Sequence, residues 1–365
     1  MNRKWKKILT GIVASALMVA GLTGCGGNDN NVSQENTPSV EETVSGENTE
    51  ITDEIKEVAD ESLKTLRIGV PGADGQGNFE GATLAVKNGY FEEELAKVGY
   101  QPEYVYFMGA GPEINEAFAA GELDVAIVGD VPVFTAKSNG IDIKIIGLAD
   151  AKVQYGILVG NGADINEPKD IEGKSIVVPI GTITQYYWEN YAEKNAIDTD
   201  QVELLNSVTE AASLLQTGDA AAWASAKYAL EAMEERGLGT VLETGADTSD
   251  IYTTYVMEAT TAVLTEEPEI GVALNKALIR SYEAAIADPD AFFSAIASEN
   301  MSENAWKKAY SFDETLSFLS PEIKDETIDY YNTLNTWLVE NGLIQEAVDI
   351  DELVDTSYYE KAISE

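Results

Sequence analysis

The strongest constraint on this chain is a rhythm. A short β-branched or aromatic run gives way to a glycine- or proline-bearing turn, and a helical pattern follows. Leu66-Arg67-Ile68-Gly69-Val70 leads into Pro71-Gly72, a glycine-rich loop through Glu80, and a helix around Ala82 to Val86. Tyr104-Val105-Tyr106-Phe107 leads into Gly109-Ala110-Gly111-Pro112 and a helix expected over 113–120. Leu123-Asp124-Val125-Ala126-Ile127-Val128 leads into Gly129-Asp130-Val131-Pro132 and another helix, and Ile143 to Leu148 reads as a fourth strand. The rhythm restarts at Gly156-Ile157-Leu158-Val159. Such alternation predicts an α/β chain with a mostly parallel sheet. In such sheets ligands sit beyond the carboxyl ends of the strands, and the turns at 71–80, 109–112 and 129–132 share that edge.

One stretch of this kind carries more chemistry than the others. Lys174-Ser175-Ile176-Val177-Val178 is a strand by composition, and Tyr187, Trp188, Tyr191 and Ala192 recur at helical spacing after it. Between them lies Gly181-Thr182-Ile183-Thr184-Gln185-Tyr186, a tight turn into a helix. Free backbone N–H groups and two hydroxyls at a helix N-terminus suit an anion. The same residues suit a plain N-cap on Thr182 or Thr184. At this level both readings stand.

Composition narrows the function classes. The chain has no histidine, which removes Ser-His-Asp and Cys-His arrangements and the commonest zinc ligand. Cys25 is the sole cysteine, so no internal disulfide or thiolate metal cluster can form, and no metal or cofactor is expected. The formal charge is −41, and nucleic-acid binding needs the opposite sign. A small anion remains admissible, because salt screens the global field within about 8 Å. Gly75-Gln76-Gly77 is no dinucleotide fingerprint, since the third glycine and the later acidic residue are not placed as that motif requires.

Residues 1–24 have the parts of an export signal: a basic start with Arg3, Lys4, Lys6 and Lys7, then an apolar run from Ile8 to Leu22. Leu22-Thr23-Gly24-Cys25 resembles a bacterial lipobox. That resemblance implies cleavage before Cys25 and lipidation of its sulfur. Removing the four positive charges takes the remainder from −41 to −45. Residues 25–65 are rich in Asn, Ser, Thr, Gly and Glu and read as a lipidated cysteine followed by a flexible acidic tether. An exported protein is expected, anchored to the outer face of the cytoplasmic membrane.

Further strands are expected at 202–205, 220–224, 240–243 and 252–256, with helices over 210–216 and 226–236. Beyond Val256 the pattern turns helical over 268–287, 290–298, 302–310 and 324–340. The Tyr, Trp and Leu residues there read most simply as core packing.

The order of Gly109-Ala110-Gly111-Pro112, Gly121-Glu122-Leu123-Asp124-Val125-Ala126, Gly129-Asp130-Val131-Pro132, Asp170-Ile171-Glu172-Gly173-Lys174, Gly181-Thr182 and Gly218-Asp219-Ala220-Ala221-Ala222-Trp223 resembles the nitrate/sulfonate/taurine group of ABC-transporter substrate-binding proteins, together with the related thiamine-precursor binders. The resemblance implies a type II periplasmic-binding-protein fold, with two lobes joined by a two-crossover hinge. The first lobe would be 66–151 plus 251–365, and the second 152–250. It implies a ligand shell of Gly77, Asn78, Phe79, Gly109, Ala110, Gly129 and Asp130 from one lobe. Gly181, Thr182, Thr184, Gln185, Tyr186 and an aromatic wall from Trp223 would come from the other. It further implies an ABC permease as partner, a monomer, and no catalysis. Amides and hydroxyls suit a sulfonate. Aromatic faces with Asp130 or Glu80 would suit a flat heterocycle carrying an amine. The turn has Ile183-Thr184-Gln185 where sulfonate binders often have serines and histidine, and no Lys or Arg falls in it, which disfavours nitrate. An enzyme on the same fold is the reading from another class, with a carboxylate pair as its acid–base chemistry.

Overall fold

The computed structural model describes residues 63–73, 76–77, 79–242 and 251–365. The expected export signal, Cys25, most of the tether and Asn78 lie outside these residues. Ten strands are named here in chain order. They are β1 (Lys64–Ala73), β2 (Gln76–Gly77), β3 (Tyr100–Phe107), β4 (Val125–Gly129), β5 (Ile143–Gly160), β6 (Ser175–Val177), β7 (Glu203–Leu205), β8 (Ala222–Ala226), β9 (Gly239–Val241) and β10 (Tyr252–Thr260).

β1 pairs in parallel with β3 and β4, as short strands joined through helices should. It starts at Lys64, inside the stretch expected to be tether. Lys64 and Thr65 already pair with Tyr100 and Gln101, and the Lys64 ammonium meets Glu267 at 2.8 Å. The expected glycine-rich loop after β1 is partly a hairpin, in which Gly77 of β2 lies antiparallel to Gly72.

β10 runs antiparallel to both β4 and β5 and closes the first half of the sheet. β5 corrects the sequence reading most. Two strands separated near Asp150 were expected, but the backbone is one 18-residue strand. Asp150, Lys152 and Gln154 look like an interruption by polarity, yet they alternate with Ala151, Val153 and Tyr155 at the strand period. The first part of β5 pairs with β10, and from Tyr155 onward it pairs with β8 and β9. β8 then continues through β6 to β7 in parallel. A single strand therefore belongs to both halves, and β10 runs beside it.

The hydrophobic packing divides the same way. A large cluster surrounds β1, β4, β10 and the first part of β5, and includes much of the C-terminal helical region. Two smaller clusters cover the faces of the second half. Ala222 and Ala224 join Ile176, Tyr187, Trp188 and Tyr191 on one face, while Trp223 joins Leu158, Val177, Leu215 and Leu230 on the other. That split is the two-residue alternation of a strand buried on both sides.

The C-terminal helices fall close to their expected places: Glu269–Ala287, Pro289–Ile296, Glu303–Ala309 and Asp325–Glu340. Two of their starts are capped, Asp288 accepting from Ala291 N and Ser302 from Ala305 N. Helices Tyr90–Ala96 and Ser357–Ser364 were not anticipated. Among the described residues no helix is long and apolar enough to cross a membrane.

Candidate functional site

The turn after β6 and the strand-to-helix junction after β4 face each other. A Cβ added at Gly129 would lie 2.7 Å from Ile183 Cγ2, and one at Gly181 would lie 3.5 Å from Pro112 Cγ. Gly129 is the last residue of β4, and Asp130 opens the helix Asp130–Ser138 with no turn between them. Gly109 likewise caps the helix Ala110–Ala119, which starts earlier than the expected 113 and absorbs the Ala-Gly-Pro residues into its first turn. Ala110 takes a left-handed φ of 55°, rare for a residue with a Cβ. A Cβ at Gly111 would fall 2.1 Å from Pro132 Cγ, so the two glycine–proline motifs interlock through backbone approach. Their residue types are thus partly a packing requirement.

At the second turn Gly181 adopts φ 76°, which favours glycine, and its N–H donates to Gln185 Oε1 at 2.9 Å. Thr182 is the N-cap of the helix Ile183–Lys194. Its Oγ1 accepts from Thr184 N at 3.2 Å, and its hydroxyl donates to the Pro179 carbonyl at 2.9 Å. The capping reading is therefore met in full. What the cap leaves uncommitted among the described residues are the amides of Thr182 and Ile183 and the Thr184 hydroxyl. Thr182, Thr184, Gln185 and Tyr186 are all buried.

Asp130 is fully buried. Its Oδ2 accepts from Thr254 N at 2.8 Å, from Thr254 Oγ1 at 2.9 Å and from the Tyr330 hydroxyl at 2.9 Å, while Oδ1 finds no partner. Burial pushes the carboxyl up to about 6, against the pull of those hydrogen bonds. One oxygen of this carboxylate, expected in the ligand shell, thus ties the start of its helix to β10 and to the helix Asp325–Glu340. Tyr186 reaches the same helix, with ring centroids 6.1 Å from Tyr330 and 5.0 Å from Trp337.

The other expected residues spread further. Phe79 is buried in the main core, edge-on to Tyr104 at 5.4 Å. The Gly109 N–H is taken by Glu113 Oε2 at 2.7 Å. Trp223 lies within the cluster of Leu158, Val177 and Leu230, apart from the residues that meet Asp130. Asp170 and Gly173 build a turn: Asp170 Oδ2 accepts from the amides of Asn166 and Glu167, and Gly173 takes φ 81°. Tyr330 and Trp337, expected as core packing, do join the main core and in addition meet Tyr186. Their seven-residue spacing on one helix face was the available signal. Among the described residues no group of acidic, cysteine or histidine side chains is placed to hold a metal.

Two half-sheets sharing a continuous strand, with a glycine-bounded helix start from each half in contact, define the architecture of a two-lobed binding protein. The chain belongs to the NMT1/THI5-like family, whose pattern it matches over residues 76–292. It is 27% identical to an aliphatic sulfonates-binding protein of Bacillus subtilis (strain 168), over 83% of this chain and 89% of that one. It is 29% identical to the taurine-binding periplasmic protein of Escherichia coli (strain K12), over 54% of this chain and 61% of that one. Among solved structures it resembles a periplasmic sulfonate-binding protein from Methylobacillus flagellatus KT, with TM-score 0.67 and 21% identity over 83% of this chain and 95% of the other. The fold is therefore that of the periplasmic binding proteins, α/β with two lobes and a two-strand hinge. A desulfurization enzyme shares it at TM-score 0.61 and 15% identity, covering 82% of this chain and 99% of that one.

Proposed function

We propose that this protein is the extracytoplasmic solute-binding component of an ABC importer. It captures a small sulfonate- or taurine-like solute between two closing lobes and delivers it to a permease. The lobes would be 66–151 plus 251–365 and 152–250, with β5 and β10 as the crossovers. Lipidation of Cys25 would hold the receptor at the membrane surface. The observation that carries this reading is the meeting of the Gly129 and Gly181 junctions, one from each half, with the amides of Thr182 and Ile183 still uncommitted. Backbone amides at the start of a twelve-residue helix hold sulfonate oxygens without a cation. The sulfonate and taurine named for the relatives point the same way.

A second ligand class, a flat thiamine-precursor-like pyrimidine, would draw on the aromatic side chains gathered at the turn, where Tyr186 meets Tyr330 and Trp337 edge-on. An enzyme reading has less support. The desulfurization enzyme shows that the fold admits catalysis, but this chain has no histidine and its sole cysteine lies at the expected lipidation position.

The test is the double variant Thr182→Val with Thr184→Val, titrated with taurine and ethanesulfonate. The variant loses the free Thr184 hydroxyl and the Thr182 cap that holds the start of the helix and its two free amides in place. Affinity should therefore fall at least tenfold, about 1.4 kcal/mol. Because Thr182 is the N-cap, the unliganded variant should also lose about 1 kcal/mol of stability. Undiminished affinity would sink the anion-turn assignment. A tight aminopyrimidine with no sulfonate response would favour the second class.

A further inference from the structure

A separate cavity of about 400 Å³ opens where the two crossover strands meet the segment that precedes the helix Asp325–Glu340. Its walls include Lys152 of β5, Tyr252 of β10, Phe312, Ser320, Lys324 and Glu326. None of the residues expected at the interlobe site lines it. The Lys152 ammonium lies 5.3 Å from the Tyr252 ring centroid and 6.0 Å from that of Phe312. Aromatic faces attract a cation but replace little of its hydration.

Lys152 is half-buried, and among the described residues its ammonium has neither a hydrogen bond nor an ion pair. Among the same residues Lys174 and Lys227 are half-buried without an ion pair as well, but neither lines this cavity. Lys64, Lys276, Lys307 and Lys308 each hold a carboxylate. Two other wall carboxylates are already engaged: Glu322 pairs with Lys324 at 3.9 Å, and Asp313 is held within its own turn. Its two oxygens accept from the backbone and hydroxyl groups of Thr315 and Ser317. Lys152 therefore faces roomy, solvent-reachable space without a counter-ion. Glu326, exposed and likewise outside any ion pair among the described residues, supplies the opposite charge on the same cavity.

We propose that this hinge cavity is a second ligand site, for a small zwitterion. The ligand's acid group sits on Lys152 and its ammonium faces Glu326. With Lys324 paired to Glu322, a plain anion would leave Glu326 uncompensated and a plain amine would leave Lys152 unpaired. An occupant touches β5, β10 and the C-terminal region together, so it restrains the strands about which the lobes turn. This site stands independently of the ligand assigned to the interlobe turns.

The experiment is equilibrium dialysis of the purified full-length protein with labelled taurine, and with ethanesulfonate as the anion lacking the ammonium. The proteins are wild type, Lys152→Met, Lys152→Arg, Glu326→Gln and the Thr182→Val/Thr184→Val double variant. Lys152→Met should remove one saturable taurine site, lowering its affinity at least tenfold, and Lys152→Arg should restore it. Glu326→Gln should cut the preference for taurine over ethanesulfonate at that site at least fivefold. The double variant should keep the site. Superimposable isotherms for wild type and Lys152→Met overturn the proposal, whatever happens at the interlobe turns. Loss of all taurine uptake in the double variant overturns it as well. Loss of only the other site in that variant supports both assignments.

Discussion

Glu258 offers a sharp test of how burial governs this molecule. It lies in the middle of β10, opposite Ala126 of β4 and Ile145 of β5. It has no exposure, and neither carboxylate oxygen finds a hydrogen-bond partner. Burial alone pushes the carboxyl from its ordinary 4.5 up to about 8. Between those two values the folded protein keeps a proton that the unfolded chain has released. The native state then binds more protons, so stability falls as pH rises through this window and levels off above it. Integrated from pH 5 to pH 8, the loss is about 3.5 kcal/mol at about 1.4 kcal/mol per unit. Glu258→Gln removes the titration while keeping the shape. Relative to wild type, the variant should gain about 3.5 kcal/mol on going from pH 5 to pH 8. With an unfolding entropy of about 2 cal/mol/K per residue over about 300 residues, that is a relative rise in Tm of about 6 °C. Scanning calorimetry of both proteins at the two pH values measures it. Asp130 and Asp150, raised by burial to about 6 and about 7, titrate in both proteins and cancel from the comparison. A Tm difference that is the same at pH 5 and pH 8 would refute the reasoning.

Two further expectations concern assembly of the site and anchoring. Gly129→Ala places a methyl against the stiff β-branched side chain of Ile183. It should hold the two halves apart, seen as a larger radius of gyration in solution scattering and at least tenfold weaker ligand binding, with an unchanged circular dichroism spectrum. Unchanged scattering and affinity would show that the contact is incidental to closure. Cys25→Ala should move the protein from the membrane fraction to the soluble fraction. Retention in the membrane fraction would rule out the lipid anchor.

Much of the architecture could be read along the chain. The strand–turn–helix rhythm identified the α/β class, and the C-terminal helices were legible because apolar and aromatic residues repeat on their faces within a turn or two of chain. The Gly181 turn was legible just as locally. Its glycine has the left-handed φ that such turns select, and its threonine caps the helix. Long-range pairing was less accessible. Polar residues near Asp150 suggested two strands, but β5 runs unbroken because β10 and β8 supply its hydrogen bonds from distant parts of the sequence.

The candidate site divides along the same physical line. Nothing near Asp130 announces that its carboxylate will be enclosed by Thr254 and Tyr330, 124 and 200 residues further on. Nor does Trp223 reveal which face of β8 it will occupy until helices cover both sides. Sequence sufficed for backbone periodicity, turn chemistry and the lack of histidine, since each is local or compositional. The opposition of Gly129 to Ile183, the enclosure of Asp130 and the open ammonium of Lys152 arise from close packing between residues far apart in the chain. There, position relative to a distant neighbour sets whether a side chain is buried, paired or left for a ligand.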